Sequence, residues 1–146
     1  MSSAPGGAHA TLRGVLWMSG AVRYTLDAPI AGLRACHCTH CQKSSGSGAS
    51  VNAVVPGTAF KITRGAPKRY ADKADSGRTL LRYFCGDCGS PLYAHRETSP
   101  ERVVVRMGSF DDPPAARIAV NIWTKSARPW SWIDPATECH PANPPG

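Results

Sequence analysis

The chain lacks any apolar run approaching the ~18 to 20 residues that a membrane-spanning helix requires, so no bilayer-crossing helix is expected. It also lacks a basic segment followed by an apolar one at its start. Met1 to Ala10 is small and polar, which leaves the cytoplasm as the default compartment. Acidic residues are scarce, 10 Asp+Glu against 17 Lys+Arg, for a formal charge of +7. The basic residues are nevertheless dispersed, and no window packs five or more of them as a nucleic-acid-binding tail would. Stretches free of helix breakers are missing too, since 14 Gly and 13 Pro interrupt the chain too often for long helices or a coiled coil. At 42% hydrophobic and 18% charged the chain is not a disordered one. No fixed-period repeat or interdomain linker is present. A single domain over residues 11–134 is expected, between flexible tails at 1–10 and 135–146 that hold too few apolar residues to offset the entropy of ordering them.

Within that domain, period-two alternation dominates. Val51, Ala53 and Val55 share one face of a strand ended by Pro56-Gly57, and Phe60 with Ile62 opens another that Gly65 stops. Leu80, Arg82 and Phe84 alternate with Leu81 and Tyr83, Val103, Val105 and Met107 form a stripe, and Ile118, Val120 and Ile122 form the last. The last stripe runs into Trp123, Trp130 and Trp132. Val15–Met18 and Ala21–Leu26 can pair as a hairpin about Ser19-Gly20. The pattern predicts a mainly β, antiparallel domain with little helix.

Five of the six cysteines fall in two tight clusters. Cys36-His37-Cys38-Thr39-His40-Cys41 is C-x-C-x-x-C, and one tight turn can bring its three sulfurs to a single ion at about 2.3 Å. Cys85-Gly86-Asp87-Cys88-Gly89 is a C-x-x-C knuckle whose glycines let the backbone turn. Thiolates select zinc, copper(I) or iron–sulfur, and zinc is the usual cytosolic occupant. Disulfides or free buried thiols are the alternative. Three cysteines without an evident fourth ligand suit an open, catalytic zinc, at which an incoming thiol would lose its proton.

Taken in order and spacing, these pieces resemble the glutathione-dependent formaldehyde-activating enzymes and their centromere protein V relatives, from about Gly14 to Ile133. The resemblance rests on Gly20-Ala21-Val22-Arg23-Tyr24, Cys36-His37-Cys38 with Cys41 and Lys43, Phe60 to Gly65 with Tyr70, and Arg82-Tyr83-Phe84-Cys85. It continues through Cys88-Gly89-Ser90-Pro91-Leu92, Gly108 to Pro113 and Pro129-Trp130. It implies a single β-tent domain of packed antiparallel sheets with zinc-knuckle turns, and carbon–sulfur lyase chemistry on a glutathione–formaldehyde adduct. It also implies that Cys36, Cys38 and Cys41 hold the reactive zinc and form the catalytic centre, with a small glutathione-like thiol as the partner. In the family a Cys-x-Cys precedes the Gly-Ala-Val-Arg-Tyr segment and closes a structural zinc with the later C-x-x-C. Trp17, Met18 and Ser19 stand at those positions here. Cys85 and Cys88 therefore lack their usual partners as zinc ligands. The second site is lost, completed by other groups, replaced by packing of Trp17, or merged with the first into one closed site.

Lys43-Ser44-Ser45-Gly46-Ser47-Gly48-Ala49-Ser50 reads as a flexible loop after the reactive cluster, with Lys43 and Ser44 the candidates to bind a glutathione carboxylate through it. His37 reads as a turn residue behind the cysteines, while His9 and His140 read as idle tail residues. Cys139 reads as a tail thiol, His95 as a surface residue, and Asp111-Asp112-Pro113 as a turn. Twelve of the 17 basic residues are Arg, which suits carboxylates. The rival reading is a non-catalytic zinc module that binds nucleic acid or protein, which salt-dependent DNA binding or four-thiolate closure would support.

Overall fold

The computed structural model describes residues 11–15, 19–74, 77–112 and 114–144. In chain order the strands are β1 (Thr11–Val15), β2 (Arg23–Asp27), β3 (Leu33–Cys36), β4 (Ser50–Pro56), β5 (Phe60–Arg64), β6 (Lys68–Lys73), β7 (Thr79–Phe84), β8 (Pro91–Arg96), β9 (Ser99–Arg106), β10 (Ile118–Ile122) and β11 (Glu138–Cys139). One α-helix, α1 (Thr39–Ser45), follows β3. The mainly β expectation holds. The strands form a three-stranded sheet, β1-β2-β5, and an eight-stranded sheet, β11-β10-β3-β4-β9-β8-β7-β6.

Alternation along each strand decides which face of the large sheet becomes core. Ala53 pairs with Val105 and Val55 with Val103, and all four are buried. The small sheet supplies Tyr24, Leu26, Phe60 and Ile62 to the same cluster. Tyr24 sits 5.0 Å from Phe60 and 5.6 Å from Phe110, edge-on to the latter, while Tyr83 stacks on Tyr93 at 4.4 Å. Such ring pairs add to the burial of their area. The intervening residues carry the opposite face. Arg34, Asn52 and Arg106 lie in register across β3, β4 and β9, and Arg82, Ala94 and Val104 do so across β7, β8 and β9. That face sets arginines and an asparagine among apolar residues such as Ala94 and Val104.

The structure adds three details to these expectations. The sheets are antiparallel except at β10, which runs parallel to both β3 and β11. The connection after β9 delivers Ile118 beside Leu33, at the same end of both strands, so they share direction. Second, β1 falls at Thr11–Val15 and pairs Val15 with Arg23, earlier than the hairpin arm expected at Val15–Met18. Residues 16–18, with Trp17 and Met18, lie outside the described residues, as do His9 and Pro113. Third, the segment from 135 onward, expected as a tail, is held by backbone bonds rather than by apolar burial. His140 N donates to Asn121 O at 2.9 Å, Thr124 N to His140 O at 3.1 Å and Trp123 N to Ala142 O at 3.2 Å. Among the described residues no helix is long and apolar enough to cross a membrane.

Candidate active site

The C-x-C-x-x-C segment spans a strand end, a helix cap and the first turn of a helix. Cys36 closes β3 on the arginine-bearing face, Cys38 caps α1, and Cys41 lies in its first turn. The Cys38 sulfur accepts from Cys41 N at 3.3 Å, doing the work that a Ser or Asp oxygen does at other helix starts. Gln42 pins the turn: its Nε2 donates to His37 O at 2.7 Å and to Ser126 O at 2.9 Å, while Arg128 Nε donates to its Oε1 at 2.7 Å. Gly46, in the left-handed region at φ 68, ends the helix. The stretch expected as a loop from Lys43 to Ser50 is thus the last turn of α1, a short connection and the start of β4. Gly48 in that connection is buried, and a Cβ there would collide with Ser131 and Trp130.

The three sulfurs lie within 4.8 Å of one another. This suits a soft ion, since tetrahedral zinc with Zn–S near 2.3 Å spaces its sulfurs by roughly 3.8 Å. Cys36, Cys38 and Cys41 could therefore hold a metal ion, and no fourth His, Cys, Asp or Glu joins the group among the described residues. Packed together, the thiols divide their protons unequally. Hydrogen bonds from Cys36 and Cys38 hold the Cys41 thiol well below its ordinary value, helped by Ser50 and Arg106 against burial. The same contacts, with burial, push Cys36 up.

All three cysteines line a cavity of about 250 Å³ on the arginine-bearing face of the large sheet. Its described lining includes five arginines, Arg34, Arg78, Arg82, Arg96 and Arg106, and a single carboxylate, Asp72. Asp72 is already engaged: Arg82 Nε donates to it at 2.7 Å and His40 Nδ1 at 2.9 Å. Burial alone would raise its pKa, but these bonds prevail and hold the carboxyl below its usual range. Arg106 is buried and donates to Asn52 Oδ1 at 2.5 Å. Trp123, also in the lining, is the one non-glycine residue at positive φ among the described residues, at 58°. Such a conformation costs about 1–3 kcal/mol and is held here by bonds from Trp123 Nε1 to Asn143 and from its N–H to Ala142.

The other singled-out residues fall elsewhere. His37 is buried behind the cysteines, its Nε2 2.9 Å from Asn121 Oδ1, and Asn121 Nδ2 donates to Thr137 Oγ1 at 2.8 Å. Lys43 is exposed and does not line the cavity, whereas Ser44 lines a smaller neighbouring one with Tyr70, Tyr83 and Tyr93. His95 Nδ1 donates to Arg96 O at 2.9 Å, and His140 pairs with Glu138 at 2.6 Å rather than standing idle. Cys139 is exposed. Asp111 and Asp112 sit in a bend outside both cavities.

Cys85 and Cys88 do not join the first cluster, and they find no third His, Cys, Asp or Glu side chain among the described residues. Serines partner them instead. Ser19 Oγ lies 3.5 Å from Cys85 Sγ, and Ser90 Oγ lies 3.3 Å from Cys88 Sγ. Bonds from Ser90, hydroxyl and then backbone, pull the Cys88 thiol down to about 7. The cavity arginines are what sequence reasoning missed. Their signal was present, since Arg82 and Arg106 occupy the phase of β7 and β9 opposite the core residues Leu81 and Val105.

Comparison with known proteins agrees with this architecture. A solved Rhodobacter sphaeroides protein superposes with a TM-score of 0.57 over 73% of this chain and 99% of its own, at 19% identity, which is a likeness of fold. A Penicillium rubens protein, provisionally named a glutathione-dependent formaldehyde-activating enzyme, is 39% identical over 79 residues, 54% of this chain and 40% of its own length. An Emericella nidulans protein with the same provisional name is 37% identical over 79 residues, 54% of this chain and 39% of its own. The matched region thus spans about two-fifths of these relatives. Residues 18–126, which include both cysteine clusters, match the family of glutathione-dependent formaldehyde-activating enzymes, and the chain belongs to that family.

Proposed function

We propose that the chain is a zinc-dependent carbon–sulfur lyase of the glutathione-dependent formaldehyde-activating type, forming or cleaving S-(hydroxymethyl)glutathione or a similar small thiol adduct. The observation that carries this reading is the position of three sulfurs in the wall of a cavity, with no fourth protein ligand beside them among the described residues. Cys36, Cys38 and Cys41 would hold the zinc, which when bound favours thiolate over thiol and so supplies a nucleophilic sulfur at neutral pH.

The chain's own groups set the rest of the reaction. Arg106, tied to Asn52, and Arg82, tied to Asp72, both act on Cys41 and make that wall of the cavity favour negative charge. In the forming direction the substrate sulfur attacks the carbonyl carbon of formaldehyde, a C–S bond is made, and the carbonyl oxygen takes up a proton. Cleavage reverses each event. Thiols add to formaldehyde without help, so the protein mainly positions the reactants and ionises the thiol. Ser44, within 3.4 Å of Arg82 Nη1, is the better placed of the two residues expected to bind substrate. A reducing cytoplasm suits a chain whose six cysteines are all unpaired.

NMR exchange spectroscopy with labelled formaldehyde and glutathione tests the reading. Wild type is expected to speed exchange between free and hydroxymethyl thiol, and Cys36→Ser to return it to the uncatalysed rate. Equal exchange in the two proteins would overturn the assignment.

A further inference from the structure

The knuckle between β7 and β8 holds two sulfurs on one turn. Gly89 N donates to Cys85 O at 2.8 Å and Cys85 N to Ser90 O at 3.0 Å, and Gly89 takes the left-handed conformation, at φ 78, that ends the turn. Residues three apart around such a turn are close neighbours. Cys85 is accordingly among the hydrogen-bond partners of the Cys88 thiol, which leaves a short approach to the ~2.05 Å of an S–S bond. The two thiols differ in exposure. Cys85 is fully buried in the main core, whereas Cys88 is half-buried. Ser90 Oγ lies 3.3 Å from Cys88 Sγ, and its bonds favour the thiolate there. Ser19, at a position where the resemblance places a cysteine, is exposed, and its Oγ lies 3.5 Å from Cys85 Sγ while also partnering Cys88. It gives the buried thiol a polar path to solvent. A reachable, hydrogen-bonded sulfur beside a second, buried one is what thiol–disulfide exchange needs, since one attacks and the other resolves.

We infer that Cys85 and Cys88 form a reversible redox couple, oxidised by low-molecular-weight disulfides of the glutathione class, at a site separate from the three-cysteine cluster. Cys88 Sγ attacks one sulfur of the incoming disulfide. A Cys88–S–S–R bond forms, the R–S–S–R bond breaks, and the departing thiolate takes up a proton in place of the one Cys88 gave up. Cys85 then loses its proton by way of Ser19 and attacks Cys88 Sγ, which forms the Cys85–Cys88 bond and releases the second RSH. Two electrons pass from the knuckle to the small disulfide, and an excess of free thiol reverses both steps. The couple stands or falls without the lyase reading, because it uses none of the cavity's residues.

The test equilibrates the full chain, purified with zinc supplied, against mixtures of glutathione and glutathione disulfide, then blocks free thiols with N-ethylmaleimide. Mass spectrometry reads the tryptic peptide 83–96, which lies between Arg82 and Arg96 and holds Cys85 and Cys88 alone of the six cysteines. As the disulfide fraction rises, the peptide is expected to pass from doubly blocked to a form two hydrogens lighter than the dithiol, and to return when dithiothreitol is added. Cys85→Ser is expected to stop at a glutathione adduct on Cys88. Ser19→Ala is expected to lengthen the life of that adduct about tenfold, as loss of one hydrogen bond to the resolving thiol implies. Because Cys85 is a core residue, the wild-type peptide decides the matter by itself should Cys85→Ser not fold. A doubly blocked peptide at every mixture would overturn the inference. So would glutathione that stays on Cys88 of wild type, or knuckle thiols that zinc shields from both the disulfide and the blocking reagent.

Discussion

At the scale of the residue, the cysteines and the arginines of the cavity were unequally legible. Cys36, Cys38 and Cys41 announce themselves because three thiols gathered by one turn leave their spacing in six consecutive residues. The arginines leave a fainter trace, their alternation with core residues: Arg34 and Arg106 flank Asn52 in one row across the sheet, and Arg82 lies in the next row with Ala94 and Val104. Asp72, which locks Arg82 in place, was invisible in an ordinary polar strand. Its role has a pH signature. Its carboxyl ionises more readily in the folded chain than in the unfolded one, so the folded state binds fewer protons through the acid range. The stability it contributes is fully present above the ordinary carboxylate value of about 4 and is lost as pH falls through the lowered folded value. Wild type is therefore expected to exceed Asp72→Asn in urea midpoint at pH 7, with the gap closing as pH is taken below about 4. A gap that widens on acidification would contradict the assignment.

At the scale of the element, alternation located β4, β5, β7, β9 and β10, because each has one face turned to a core. It did not locate β3, β6, β8, β11 or α1. Strand β6 is almost wholly exposed, so it carries no apolar stripe, and β11 has two residues. Helix α1 is too short to show an amphipathic period and depends on a sulfur cap and the Gln42 anchors. The stop at Gly65, by contrast, was legible and has a steric basis. At φ 78 a Cβ would lie 2.1 Å from Ala21 O, backbone that cannot swing aside. Gly65→Ala is expected to cost about 2–3 kcal/mol, read as a lowered urea midpoint with an unchanged slope. An unchanged midpoint would mean that the β2 and β5 ends move apart freely.

Over the whole molecule, one large sheet separates two environments. Its inner face packs on the small sheet as an aromatic and aliphatic core, and its outer face gathers the thiols and arginines into one cavity. The excess positive charge that first raised a nucleic-acid partner is thus partly spent inside a space sized for a small molecule. The segment from 135 to 144 closes the site from the far side, since Asn121 joins His37 to Thr137 and Asn143 reaches the cavity. Composition hid this, because Pro, Asn and Ala there offer little to bury and the attachment is by hydrogen bonds. Around the second knuckle, Ser19 and Ser90 partner the thiols that in relatives by resemblance would meet two further cysteines. We expect zinc in the first cluster and none in the knuckle, and the chemistry turns on that division. It is tested most directly by zinc content per chain, measured by mass spectrometry of metals after purification with zinc supplied, in wild type, Cys36→Ser and Cys85→Ser. One zinc in wild type and in Cys85→Ser, with none retained by Cys36→Ser, is the expected result. Two zincs in wild type, or equal loss from both variants, would contradict it.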